Sequence, residues 1–289
     1  MAHIVLIGAG NMGFAMLSRW LAPPVSKSEV MDSKSEPRHP SNAQHTFSVV
    51  EPVEQLRERA AKAGAVVYEA IDQLAAVSPA DVMVIATKPA TVPEIAELCG
   101  PVLSPSGFLL SVAAGVQIAA IEKRAGRPCA VIRCMPNTPA SVGEGMIVCC
   151  PGSRVSADHR SIALELLSSV GKVVFVEDES LMDAVTAVSG SGPAYLFFFI
   201  EALTQAARSV GLPDDLALLL AKQTVYGASK LAMETPETPA TLRRQVTSPN
   251  GTTAAGLDVL MRPGIGLTNL MNQAVSAARN RSVKLSESA

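Results

Sequence analysis

The feature that most constrains this chain lies at its start. His3-Ile4-Val5-Leu6-Ile7 is a continuous apolar run, followed at once by Gly8-Ala9-Gly10-Asn11-Met12-Gly13 and then by Phe14 to Leu21, which reads as a helix. An apolar run without alternation is what a strand covered on both faces requires, so the chain should build a parallel sheet flanked by helices. A lone G-x-G-x-x-G is a weak signal; one that leaves a strand and opens a helix is a good dinucleotide signal. Gly8 would make the tight turn, Gly10 would let a pyrophosphate approach the backbone, and Gly13 would let helix and strand pack closely.

The alternation continues for more than half the chain. Residues 23–45, from Pro23-Pro24 onward, are polar and aperiodic and read as a solvent loop, with His39 and His45 as surface histidines. Thr46 to Val50 reads as the second strand and ends at Glu51-Pro52. An acid at that strand end normally takes the ribose 2′-hydroxyl of NAD and disfavours the 2′-phosphate of NADP. The inserted loop stretches the usual spacing, and a helix-start carboxylate is the other reading, because Pro52 to Ala63 is helical in pattern. Further strands are expected at residues 64–67, 81–86, 108–112, 129–133, 142–150 and 172–176, with a helix at 157–169. Small or turn-forming residues recur at the carboxyl ends of these strands: Ala86-Thr87-Lys88-Pro89, Ala113-Ala114-Gly115 and Met135-Pro136-Asn137-Thr138-Pro139. Open α/β sheets bind their ligands at that edge.

From Glu179 the βα alternation stops. Helices are expected at 181–188, 194–210, 214–233, 239–245 and 254–260, with a frayed tail from Ser282 to Ala289. Phe197-Phe198-Phe199 and Leu218-Leu219-Leu220 put apolar side chains all around their helices, so these should be buried by the core or by a second subunit. The expected fold is an α/β N-terminal Rossmann-like domain with a mostly parallel sheet over residues 1–176, then an all-α C-terminal dimerisation and substrate domain over 177–289.

A length of 289 residues suits two domains, and a formal net charge of −2 gives no basic footprint for nucleic acid. No segment has the length and apolarity of a membrane span, and no secretion signal is evident. The five cysteines, at 99, 129, 134, 149 and 150, have no metal-ligand spacing and read as small core residues in a reducing, cytoplasmic compartment.

A dinucleotide half joined to a helical half suggests a nicotinamide oxidoreductase. Oxidising an alcohol usually needs a histidine or lysine base. No histidine follows His159; the later lysines are Lys222, Lys230 and Lys284, outside the G-x-x-x-N-x-x-K pattern of β-hydroxyacid dehydrogenases, and Lys222 and Lys230 read as helix-surface residues. A C=N bond asks less, because an imine can arrive protonated and needs positioning plus hydride. Val246-Thr247-Ser248-Pro249-Asn250-Gly251-Thr252-Thr253 offers that positioning: turn residues and hydroxyls running into a helix N-terminus, where free N–H groups and the dipole favour an anion such as a carboxylate. An ordinary capped helix start is the plainer reading of the same residues.

Six segments in this order resemble the pyrroline-5-carboxylate reductases, which reduce 1-pyrroline-5-carboxylate to L-proline in the last step of proline biosynthesis. They are Gly8 to Gly13, Ala86 to Pro89, Ser111 to Gly115, Arg133 to Pro139, Ser189-Gly190-Ser191-Gly192-Pro193-Ala194-Tyr195 and Val246 to Thr253. The resemblance spans nearly all of the chain except residues 24–45. It implies that Gly8, Ala9, Gly10, Asn11, Met12 and Gly13, with Ala86, Thr87, Lys88, Pro89 and Ala114, line an NADPH or NADH cofactor; Glu51, read as the strand-end acid, argues for NADH. It implies that Ser248, Thr252 and Thr253 hold a small cyclic imine carboxylate, with Ser248 and Thr253 at the chemistry and Thr253 beside the ring nitrogen. Glu179 matches an acid near the substrate, and its plainer reading is a helix-start charge. The resemblance further implies an interlocked homodimer, often assembled into a decamer, and no metal. Three positions depart from the family pattern: Asn250 where many members have Gly, Gln245 where some have Asn, and Glu51 where NADP-using members carry small or basic residues. Reduction of another small cyclic imine or ketone, or a non-catalytic dinucleotide sensor on the same scaffold, are the alternative readings.

Overall fold

The computed structural model describes residues 1–22 and 45–287. Most of the inserted loop, including His39, therefore lies outside the described residues.

Eight strands form one sheet: β1 (His3–Ile7), β2 (Thr46–Val50), β3 (Val66–Tyr68), β4 (Ala80–Ile85), β5 (Leu103–Ser111), β6 (Ala130–Met135), β7 (Gly145–Pro151) and β8 (Gly171–Phe175). Their order is β3-β2-β1-β4-β5-β6-β7-β8. Neighbours run parallel except β6 and β7, which are antiparallel. The exception follows from the connection. Only a short 3-10 turn, Thr138–Val142, separates β6 from β7, too little chain for the crossover that parallel pairing demands.

Both faces of the sheet are buried, as the apolar runs require. Ile4, Leu6, Val82, Val84, Phe108, Leu110 and Cys149 join one hydrophobic cluster; their chain neighbours Val5, Ile7, Met83, Ile85, Leu109 and Cys150 join the other. Helix α1 (Asn11–Trp20) covers the first face with Met16, Leu17 and Trp20. Full burial of such side chains contributes about 1.5–3 kcal/mol each. Trp20 also donates its indole N–H to the Leu166 carbonyl at 2.9 Å, so its polar atom is satisfied inside the core. Helices α2 (Glu54–Lys62), α3 (Val92–Cys99), α4 (Ile118–Arg124) and α5 (Ala157–Ser168) complete the layers.

His45 departs from its expected solvated state. Its side chain is 7% exposed, with Nε2 3.2 Å from Glu165 Oε1. Its Nδ1 accepts the Ala2 N–H at 3.3 Å, and its ring meets Phe47 edge-on. Standing immediately before β2, it is drawn in with the strand.

The helical part consists of α6 (Met182–Val185), α7 (Gly192–Ser209), α8 (Asp214–Glu234), α9 (Pro239–Gln245), α10 (Thr252–Leu260) and α11 (Leu267–Glu287). The chain separates into two compact units, one holding Met1–Gly190 and the stretch from Arg279 onward, the other Ser191–Ala278. The first unit thus extends beyond the expected boundary after Val176. Residues 179–190 dock on the sheet through the fully buried Met182. They are also not one helix but a 3-10 turn, α6 and a π-turn at Thr186–Gly190. Thr186 bonds back to the Met182 carbonyl at 2.8 Å, which loosens the regular ladder there. The tail expected to fray is helical to Glu287. Its anchor is Ser282, which is 4% exposed and donates to Asp183 Oδ1 at 2.6 Å.

The second unit buries little of its own. Thr204, Ala217 and Ala221 are buried, while Phe197, Phe198, Leu218 and Leu219 stand 57%, 70%, 45% and 62% exposed. The side chains expected to be covered are open to solvent in the single chain. Lys222 and Lys230 are exposed, as expected, and Lys230 faces Glu234 one turn on.

Candidate active site

In the first unit, the strand-end segments converge because β2, β1, β4 and β5 are consecutive in the sheet. Strand β1 sits where the order reverses, the crevice at which open α/β sheets bind ligands. Gly8 leaves β1 with φ 93, a conformation a side chain would strain. Its N–H donates to the Val50 carbonyl at 2.9 Å. A Cβ on Gly8 would stand 2.9 Å from the Ala86 carbonyl oxygen, and one on Gly13 would strike the Gly8 carbonyl. At Gly10 a Cβ would meet nothing, so the loop is open on that side. Gly10 is the N-cap of α1 and supplies no side-chain cap. The first N–H groups of this helix, at Asn11, Met12 and Gly13, are therefore left for an outside acceptor.

Glu51 closes the loop from the β2 side. It is 5% exposed; Oε2 accepts the Ala9 N–H at 2.7 Å and Oε1 the Val53 N–H at 2.9 Å. Ala86 follows β4 and is fixed by an N–H bond to the Ile7 carbonyl at 2.8 Å. Thr87 Oγ1 accepts from Thr91 Oγ1 at 3.0 Å, and Lys88 is exposed just before the Pro89–Thr91 turn that leads into α3. Ala114 is half-buried beyond β5, beside Gly115 at φ 76. The open Gly10, the uncapped helix end and the buried carboxylate beside them fit a dinucleotide.

Glu179 belongs to a brace on the same unit. Its Oε1 accepts from Arg133 Nη1 at 2.8 Å and from the Ile118 N–H at 2.9 Å. Arg133, 3% exposed, ends the apolar run of β6. A charge inside a buried strand demands a partner, and that misfit was the sequence signal for the pair. Asn137 is a second brace that motif reading did not assign. Its Oδ1 accepts the Met146 N–H at 2.8 Å and its Nδ2 donates to the Ser189 carbonyl at 3.1 Å. The Ser189–Gly190 turn is thereby tied to the start of β7.

In the second unit, Ser248-Pro249-Asn250-Gly251 is a tight turn closed by the Gly251 N–H on the Ser248 carbonyl at 3.1 Å. Asn250, at φ 59, is the one non-glycine residue with positive φ among the described residues. The turn delivers the chain into α10, which starts at Thr252 with Gly251 as N-cap and no side-chain cap. Ser248, Thr252 and Thr253 are all exposed, with hydroxyls and free N–H donors at one helix end. Among the described residues, no cluster of three or more His, Cys, Asp or Glu side chains is arranged to hold a metal ion. The five cysteines are free and buried. Burial raises the Cys99 thiol to about 12, with Cys129 adding to it, and Cys150 to about 11, with Glu179 adding to it.

Known proteins match both units. A family model for pyrroline-5-carboxylate reductase dimerisation matches residues 179–285, and one described as NADP oxidoreductase coenzyme F420-dependent matches residues 3–115. The pyrroline-5-carboxylate reductase of Pseudomonas aeruginosa is 37% identical over 99% of this chain and 97% of its own length. That of Synechocystis is 38% identical over 97% of each. Among solved structures, a pyrroline-5-carboxylate reductase from Coxiella burnetii superposes with a TM-score of 0.83 at 32% identity, covering 99% of this chain and 98% of that one. The Plasmodium falciparum pyrroline carboxylate reductase with NADP bound gives 0.78 at 26% identity, covering 99% and 98%. With the strand-end crevice and the uncapped helix turn each carried in a whole-length match, the chain belongs to the pyrroline-5-carboxylate reductase family.

Proposed function

We propose that this protein reduces 1-pyrroline-5-carboxylate to L-proline with NADPH or NADH, the last step of proline biosynthesis. The observation that carries the proposal is the start of α10 at Thr252, without a side-chain cap and preceded by the Ser248–Gly251 turn, in a chain that matches reductases from end to end. The bound nicotinamide supplies the hydride that the imine carbon receives. The chain's own residues bind and orient. Backbone N–H groups at the start of α1, with Gly8 to Gly13, hold the dinucleotide phosphates, and Ala86, Thr87, Lys88, Pro89 and Ala114 form the rest of that lining. Donors at the start of α10, with the hydroxyls of Ser248 and Thr252, hold the substrate carboxylate. The Thr253 hydroxyl positions the ring nitrogen; the imine arrives protonated there, so hydride at carbon completes the change from C=N to C–N. Glu179 matches the acid that the family places near the substrate, and in this chain its Oε1 is held by Arg133 and the Ile118 N–H.

The helical part over residues 177–289 serves dimerisation and substrate binding, and two copies of the chain pair through the open apolar sides of α7 and α8. A decamer of such dimers is the larger assembly that fits the family. Five free buried thiols suit the reducing cytoplasm, and no helix among the described residues is long and apolar enough to cross a membrane.

The test is oxidation of NADH and of NADPH with pyrroline-5-carboxylate, followed by analysis for L-proline. Proline formed with either cofactor is the expected result. Thr253→Ala should lower kcat/KM about 10²-fold, the loss typical of one positioned donor, and leave dinucleotide affinity within about twofold. Absence of proline with both cofactors, in protein that still binds a dinucleotide, would move the function to another imine or to a sensor.

A further inference from the structure

We infer that Glu51 makes this protein select a dinucleotide with a free ribose 2′-hydroxyl, NADH over NADPH, against the NADP of the matching oxidoreductase model and of the Plasmodium relative. The inference rests on the reading that Gly8 to Gly13 hold a dinucleotide.

The carboxylate is held in place, not merely nearby. The Glu51 N–H donates to the Tyr68 carbonyl at 2.9 Å, which fixes the backbone between β2 and β3. Both carboxylate oxygens take backbone donors, Ala9 on one and Val53 on the other. Ala9 lies between the two loop glycines, so the negative charge adjoins the segment that approaches the pyrophosphate. Each carboxylate oxygen has a second lone pair, so a ribose hydroxyl can still donate. A 2′-phosphate has three acceptor oxygens and about −1.5 to −2 charge. It brings no donor to a buried acceptor and sets like charges together.

A cation could reverse that preference, and among the described residues Arg57 is the basic side chain bonded at this strand end. It is turned away from the role. Its Nη1 donates to the Glu51 carbonyl at 2.8 Å and to the Pro52 carbonyl at 2.9 Å. Its Nη2 stands 3.8 Å from Glu69 Oε2. The guanidinium thus braces the β2–α2 corner and faces its own acidic neighbour. To reach a phosphate it would have to leave two carbonyls and still share the site with the Glu51 carboxylate.

The experiment is equilibrium binding of NADH and NADPH to the full chain, read by nicotinamide fluorescence without any imine present. Binding is then judged apart from turnover, so failure to make proline would leave this result standing. The unmodified protein should bind NADH at least about tenfold more tightly than NADPH, as expected for a buried like-charge clash. Glu51→Gln keeps an oxygen for the Ala9 N–H and removes the charge; it should bring the two affinities within about threefold. Arg57→Met should leave the ratio unchanged. Equal or tighter NADPH binding by the unmodified protein would overturn the inference, even if the Glu51 variant failed to fold. So would an unchanged ratio in Glu51→Gln, or selective loss of NADPH binding in Arg57→Met, which would make Arg57 a phosphate clamp. Binding of neither dinucleotide would overturn both this inference and the reading beneath it.

Discussion

Asn250 holds φ at 59 so that Pro249 can turn the chain and leave the first N–H groups of α10 unclaimed. Asparagine tolerates this region because its short polar side chain bonds locally; a β-branched residue does not. Asn250→Gly should therefore stay within about 0.5 kcal/mol of the parent in urea denaturation, and Asn250→Val should lose about 1–2 kcal/mol. Equal midpoints for the two variants would mean that the turn is not left-handed at this residue. The sequence made the turn at this position readable, because Pro-Asn-Gly is turn chemistry and Asn tolerates positive φ. It did not make Glu51 readable to the same degree. A carboxylate before a helix and one facing a ribose look alike in a string, and the Ala9 N–H that Glu51 also holds comes from a residue 42 positions earlier.

Among the elements, β6 and β7 lie at the sheet's one antiparallel junction and carry a chemical consequence. Their register sets Cys134 against Cys149, with the sulfurs 3.0 Å apart, and Cys150 on the opposite face. Burial, with the Cys149 contact, raises the Cys134 thiol well above its ordinary value. Cys99, on α3, rises from 9.0 to about 12. The sign follows from linkage. Above pH 9 the unfolded chain releases thiol protons that the folded chain retains, so stability is constant below about pH 9 and falls as pH rises towards 12. Urea midpoints should decline between pH 8 and 10.5, and the decline should be shallower in Cys99→Ala. Identical pH slopes for the two proteins would show that this thiol ionises in the folded state as easily as in the unfolded. The elements themselves were largely legible, since unbroken apolar runs announced the two-sided strands. The stretch from Glu179 to Gly190 was not, because its 3-10 and π turns answer to Arg133, Asn137 and Met135 in other parts of the chain.

For the molecule as a whole, the second unit is the part that a single chain leaves unfinished. Phe198 is 70% exposed and Leu219 62%, on helices with little core of their own. A buried Phe removes about 150–250 Å² from water, and a stable interface needs about 1,200 Å² in total. The aromatic and leucine runs of α7 and α8 reach that scale. The protein should elute as a dimer or larger at micromolar concentration, and Phe198→Glu should shift it towards monomer by light scattering. A folded, monodisperse monomer of the unmodified chain would remove the pairing surface from α7 and α8.

The sequence by itself determined the fold class, the crevice at the β1 end and the family. Those depend on local patterns: apolar period, glycine spacing and turn residues. Only the tertiary structure decided where the compact units part, why the tail from Ser282 is anchored, and that His45 is enclosed. It also decided what Glu51 and Glu179 hold. Each of these depends on a partner far along the chain: Asp183 for Ser282, Glu165 for His45, Ala9 for Glu51 and Arg133 for Glu179. A linear pattern records which residues want partners, and the packing of the sheet with its helices chooses which partner each receives.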